Sequence, residues 1–151
     1  MNAALIDRIK VFLYKNESND LLGIPATDEE ILGAEKYLET KFNEDYIQFI
    51  KLFGGSCVGL SIYAFNNGSL LGSTTVVELT RRFRKDAGEM IPSELKDAYA
   101  ISDDGSGNPI LMNKDGNIFI FLHDSWEVEL LYHSLEEMLM NYFPENGGYY
   151  V

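Results

Sequence analysis

The chain reads as a mixed helix-and-sheet protein in which a helical N-terminal half feeds a hairpin-rich sheet. Four stretches of punctuation, in this order, predict it: Thr27-Asp28-Glu29-Glu30-Ile31, Gly54-Gly55, Asp103-Asp104-Gly105-Ser106-Gly107-Asn108, and Asp115-Gly116 between two apolar runs. The first opens a helix, the second closes one, and the last two turn strands back on themselves.

From Ala3 to Tyr14, Leu5, Ile6, Ile9 and Leu13 recur at helical spacing. Residues 16–20 then break the pattern with types that favour turns. Thr27 is placed to cap a second helix, with Glu30 three residues on to close a capping box. Ile31, Ala34, Leu38 and Phe42 form its stripe, while Asp28 and Glu29 complement the positive helix end. A third helix spans Glu44 to Leu52, and Gly54-Gly55 ends it, because glycine takes the left-handed cap at no steric cost. A first strand is expected at Leu60–Phe65, ended by Asn66-Asn67-Gly68. Ser73 or Thr74 should open the next helix, with Val76, Val77, Leu79, Thr80 and Phe83 on its apolar side. Four strands follow, at 98–102, 109–113, 117–124 and 127–133. Ile118–Leu122 is apolar at every position, as a strand covered on both faces would be. Asp115-Gly116 is the favoured pair for a two-residue hairpin loop. In the last strand Val128, Leu130 and Tyr132 should face one way and Glu127, Glu129, Leu131 and His133 the other. Ser134 caps a final helix, with Glu137 completing a second capping box, and Pro144 stops it.

Composition narrows the function. With 151 residues, 46% of them hydrophobic and 13% aromatic, the chain can pack one core, and a single domain over 1–151 is expected. No apolar run is long enough to span a bilayer, and Asp7, Arg8 and Lys10 interrupt the N-terminal pattern, unlike a signal peptide. The single Cys57 rules out an internal disulfide framework and fits a cytoplasmic location. Net charge is −12, unevenly distributed: residues 101–151 hold nine acids against Lys114 alone, a local balance of −8. Such a field repels nucleic acid and anionic lipid, and favours encounter with a basic protein. Arg81, Arg82, Arg84 and Lys85 form the one basic cluster; in so acidic a chain they read as a solvated face pairing with local acids.

No catalytic constellation emerges. Cys57 lacks a recognisable nucleophile setting, and with His123 and His133 the only histidines it makes no zinc site. His123 and Asp124 with Asp103 or Asp104 could hold a metal only weakly, and His123 reads better as a strand-end residue bonded to neighbouring carbonyls. The Asp103–Asn108 stretch imitates a calcium loop, but Pro109 stands where that loop needs glycine. Gly105 and Gly107 lack the third glycine of a dinucleotide loop. Glu127 and Glu129 fall side by side on one sheet face, which is no catalytic pair. Neither enzyme activity, cofactor nor metal is expected.

The order of these motifs resembles the SUKH superfamily, whose members include a yeast regulator of cell-wall glucan synthesis. The resemblance runs from about Gly23 to Phe143. It comprises Thr27-x-x-Glu30-Ile31-x-x-Ala34-Glu35-x-x-Leu38, Phe42-x-x-Asp45-Tyr46-x-x-Phe49-Ile50 and Phe53-Gly54-Gly55. Ile62-Tyr63, Asp103-x-Gly105-x-Gly107-Asn108, Asp115-Gly116, Asp124 and the 134–143 helix follow. It implies an α+β fold, with a mostly antiparallel sheet of about five to six strands and helices packed around it. Bacterial members resemble immunity proteins that bind and neutralise a toxin, often a nuclease or nucleic-acid deaminase. The resemblance therefore implies a non-catalytic binding protein with a basic toxin domain as partner, and neither nucleic acid nor membrane as ligand. The alternative is a regulatory scaffold like the yeast relative. The family supplies no catalytic residues to carry over.

The contact residues follow from charge and position instead. Asp103, Asp104, Asp124, Glu127 and Glu129 are the candidate charged contacts. Trp126 is the candidate anchor, against the plainer reading of a core-edge aromatic. Met138 and the Tyr149-Tyr150 tail could extend the surface.

Overall fold

The computed structural model describes residues 1–15 and 20–144. Residues 16–19 of the turn expected over 16–20, and the Tyr149-Tyr150 tail, lie outside the described residues. Three helices come first: α1 (Ala3–Tyr14), α2 (Asp28–Leu38) and α3 (Glu44–Phe53). A small hairpin of β1 (Ser56–Cys57) and β2 (Ser61–Ile62) precedes α4 (Val76–Ala87). The main sheet then runs β3 (Tyr99–Asp103), β4 (Pro109–Met112), β5 (Ile118–Leu122) and β6 (Glu127–Tyr132), and α5 (Leu135–Tyr142) closes the described chain. Its strand order is β3-β4-β5-β6, antiparallel throughout. The fold is α+β, with helices packed around the sheet and six strands among the described residues.

The helix starts follow capping chemistry. Thr27 Oγ1 accepts the Glu30 N–H at 3.1 Å, and the Glu30 carboxylate returns to the Thr27 N–H at 3.0 Å. The expected opening of α4 shifts by one or two residues: Thr75, not Ser73 or Thr74, makes the capping box with Glu78. Asn67 accounts for the shift, since its side-chain amide donates to the carbonyls of Gly72 and Thr74 and holds the approach extended. At α5, Ser134 accepts the Glu137 N–H, but Glu137 reaches back to the His133 N–H instead of the cap residue's own. The second capping box is therefore offset by one residue. Gly54 ends α3 at φ +65, where a Cβ would strike the Ile24 backbone, so only glycine fits.

Two apolar clusters sandwich the sheet. On one face, Leu5, Ile9 and Leu13 of α1 pack with Leu38, Tyr46, Phe49, Ile50, Leu135 and Leu139 against Tyr99, Ile101, Met112 and Ile118. On the other, Phe83 and Ala87 of α4 cover Ala100, Leu111 and Phe121. Burial of each large side chain stabilises by about 1.5–3 kcal/mol, which makes these faces the main source of stability. β5 needs apolar residues throughout because Ile118 and Ile120 serve the first cluster, and Phe119 and Phe121 the second. Met138, placed by helical spacing on the buried face of the last helix and also weighed as surface, is 1% exposed and belongs to the core.

Three further details, all in the strands, depart from the sequence reading. The first strand shrinks to Ser61–Ile62 and pairs with an unforeseen partner, Ser56–Cys57. The β4–β5 loop is longer than a two-residue hairpin. The Asn113 carbonyl accepts the Gly116 N–H, and the Asn113 N–H donates to the Asn117 carbonyl, which leaves three residues between them. Gly116 sits at φ +89 and Asn113 Oδ1 binds the Asp115 and Asn117 N–H groups, a turn closed by a glycine bulge. In β6 the pairing slips: Phe119 lies opposite Leu130, but Ile118 opposite Tyr132. Leu131 is the extra residue, and it turns Tyr132 over to the main core while Val128 packs against the α4 cluster. Strict alternation through Tyr132 therefore fails.

The two outer edges of the sheet differ. Along β3, the Ala100 N–H donates to the buried Thr80 hydroxyl at 2.9 Å, and the Ile101 carbonyl accepts the Tyr63 N–H at 2.8 Å. β6 pairs with β5, and among the described residues no further strand joins it.

Candidate functional site

Hairpin topology brings the β3–β4 and β5–β6 loops to the same end of the sheet. The first carries Asp103 and Asp104, the second Asp124 and Trp126. A short hydrogen-bonded chain ties them together. The Asn108 side-chain amide donates to Asp104 Oδ2 at 2.8 Å, and Asn108 Oδ1 accepts the His123 N–H at 3.0 Å. His123 Nδ1 lies 2.6 Å from the same Asn108 oxygen, and its Nε2 3.2 Å from Asp124 Oδ1. His123 is thus a strand-end residue as expected, but its partners are side-chain oxygens, not backbone carbonyls. Neither Asn108 nor His123 was singled out as the link between the loops. Their roles depend on a contact fifteen residues apart, which no local pattern announces.

The acids at this end are not equivalent. Asp103 accepts the Gly105 N–H at 2.8 Å and is half-buried. Burial first, and then this neighbouring carboxylate, raise the pKa of the Tyr63 phenol. Asp104 shapes its loop, accepting the Ser106 N–H at 2.8 Å and the Asn108 N–H at 3.1 Å through Oδ1. Slight desolvation of this exposed carboxyl is the largest single influence and pushes its pKa up. The Asn108 side chain and the Ser106 and Asn108 N–H groups together outweigh it and hold the carboxyl below its usual range. Asp124 stays 92% exposed at its side chain although Oδ1 lies beside His123 Nε2. Glu127 lies opposite Leu122 and Glu129 opposite Ile120, both exposed on one face of β6 as the alternation requires.

Trp126 sits at the edge of the core and is also open to solvent. Its ring meets Phe121 edge-on at 5.8 Å between centroids, yet the residue is 44% exposed. Its backbone is left-handed, at φ +62, with the N–H donating to the Leu122 carbonyl at 2.8 Å. That conformation costs a non-glycine residue roughly 1–2 kcal/mol, and such strain concentrates at functional sites. Beside it, a crevice of about 60 Å3 is lined by Phe83, Asp86, Pro109, Phe121 and His123.

Other candidates fall elsewhere. Cys57 pairs with Ser61 across the small hairpin, and its N–H donates to the Leu21 carbonyl. Among the described residues, no three His, Cys, Asp or Glu side chains gather as metal ligands, and no helix is long and apolar enough to cross a membrane. Among the described residues, the basic cluster on α4 forms none of the expected ion pairs with local acids. Arg84 donates to the Leu38 carbonyl at 2.8 Å, at the negative end of α2, and Arg81 lies over the Tyr37 ring at 5.6 Å. A groove of about 610 Å3 opens beside the end of α2, where Lys36, Lys41 and Lys114 mix with Glu35, Glu39 and Asp97. Its charges balance, unlike those at the loop end. Glu35 is a buried acid that sequence reasoning passed over; it accepts the Phe42 N–H at 2.8 Å and so holds the α2–α3 connection.

Compared with known families, residues 25–141 match the model of the SMI1 / KNR4 family (SUKH-1). No curated protein matches the chain.

Proposed function

The chain belongs to the SMI1 / KNR4 family (SUKH-1), and from that membership we propose that it is a non-catalytic immunity protein. It binds a basic toxin domain that acts on nucleic acid and blocks it stoichiometrically. The observation that carries this reading is that the loops bearing Asp103, Asp104, Asp124 and Trp126, with Glu127 beside them, lie at one end of the sheet. A toxin that handles nucleic acid presents a basic cleft, and an acidic end with an exposed aromatic is complementary to it. Opposed fields would raise association toward about 10⁸–10⁹ M⁻¹s⁻¹ at low salt, which suits capture of a lethal enzyme.

If the reading holds, a toxin domain should be encoded beside this gene, and co-expression with it is the test. Cells should survive with the intact chain and with Cys57→Ala. They should die with the folded double variant Asp124→Lys, Glu127→Lys. Survival with that double variant and with Trp126→Ala would remove the acidic end from the mechanism. Loss of protection in Cys57→Ala, with folding intact, would favour an enzyme instead.

A further inference from the structure

We propose that the outer edge of β6 is a strand-docking site, taking an extended, lysine- or arginine-rich segment of the partner protein as a fifth strand. This rests on the binding function above and specifies its mode. Along an edge strand, alternate N–H and C=O groups point away from the sheet and template a further strand. The protein treats its two edges differently. At β3 the Thr80 hydroxyl and the Tyr63 N–H occupy the backbone groups of Ala100 and Ile101. At β6 no further strand pairs among the described residues, and four of its six residues are exposed.

The side chains define the occupant. Glu127 and Glu129 stand on one face, and Val128 and Leu130 on the other, with Leu130 49% exposed. A docked strand would set its own alternating residues across from these. Basic side chains would meet the glutamates, and branched apolar ones would meet Val128 and Leu130. Acids are an unusual guard for an edge, where lysine is the common choice. A second copy fits poorly, because registers that keep the glutamates on one face bring like charges together. The Leu131 bulge limits the usable edge to residues 127–130, and that edge is continuous with Trp126 and the acidic loops.

Three capped octapeptides test this against the full chain. One alternates lysine with valine, one carries the same charge with proline in place of two central valines, and one alternates glutamate with valine. The lysine–valine peptide should bind, and should slow amide exchange at alternate β6 positions by about tenfold or more while β3 stays unchanged. The proline peptide should bind about tenfold more weakly, because it cannot complete the ladder. Leu130→Lys, with folding verified by circular dichroism, should also weaken capture. Equal binding of the two lysine peptides, protection away from β6, or no binding at all would overturn the proposal. Toxin protection without strand capture would sink the docking mode alone, whereas capture without protection would sink the immunity function alone.

Discussion

Replacing Thr80 by Val should destabilise the protein through a single unpaired backbone group. Thr80 is fully buried in α4, donates its hydroxyl proton to the Val76 carbonyl at 2.7 Å, and accepts the Ala100 N–H at 2.9 Å. Valine keeps the shape and supplies a methyl where the hydroxyl stood. The Val76 carbonyl retains its place in the helix ladder, so little is lost there. The Ala100 N–H, however, is left facing a methyl group with no water to replace the lost acceptor. An orphaned buried donor costs about 1–3 kcal/mol. For a chain of this length each kcal/mol lowers Tm by roughly 2–4 °C, so a fall of about 2–12 °C is expected. Urea unfolding should give a lower midpoint at unchanged slope, the mark of a stability change without a change in exposed surface. Amide exchange adds a local readout: the Ala100 N–H should lose protection in Thr80→Val and keep it in Thr80→Ser. A valine variant within about 0.5 kcal/mol of the parent, with Ala100 still protected, would refute the claim that this hydroxyl closes the β3 edge.

Three further outcomes are expected. Trp126→Ala should weaken partner binding by at least about 2 kcal/mol if the indole is the anchor; Trp126→Gly should lose the same binding while recovering part of the left-handed strain, visible as a higher Tm than the alanine variant. Asn108→Ala cuts the link between Asp104 and His123 and should cost about 1–2 kcal/mol in urea unfolding, with a slower association rate; an unchanged rate would mean the loops need no cross-tie. Asp104 gives the pH test. Its folded pKa is depressed, so its contribution to stability is complete above the unfolded value near about 3.9 and disappears as pH falls through the lower folded value. Asp104→Asn should therefore flatten the acid limb of the stability curve below about pH 4, and an unaltered limb would count against the loop network.

Much of the fold was legible because its signals are local. Thr27 and Glu30 are three residues apart, and the apolar stripe of α1 repeats within one helix. The solid apolar run of β5 already implied cover on both faces. What escaped depends on contacts distant in the chain. Nothing near Ser56 announces that it pairs with Ile62, and a two-residue strand has no periodicity to read. The start of α4 moved because Asn67 restrains Thr74 from seven residues away. The β6 slip at Leu131 is set by its pairing with β5, so alternation within the strand could not reveal it. The same division holds at the site. Charge and turn composition marked Asp103, Asp104, Asp124 and Trp126, whereas Asn108 and His123 emerge only once the two loops meet.

On the proposed binding mode, the placement of charge also separates affinity from stability. The buried faces that hold the sheet come from α1 to α5 and from the inward residues of β3, β4 and β5. Asp124, Glu127 and Glu129 stand outside those faces, exposed to solvent. Substitution at such positions ordinarily changes stability by less than about 0.5 kcal/mol, while a charge contact across an interface alters association rate and partner choice. Trp126 is the exception, because its ring reaches Phe121 and its backbone is strained. A lineage adapting to a new partner could therefore rewrite the acids of the loop end and of β6 without refolding the domain, but would have to keep an aromatic at 126 or rebuild the edge of the α4 cluster. Exchanging Asp124, Glu127 and Glu129 together for glutamine should accordingly leave Tm nearly constant while association slows and loses most of its salt dependence. A large drop in Tm would mean that these carboxylates carry the fold as well as the contact.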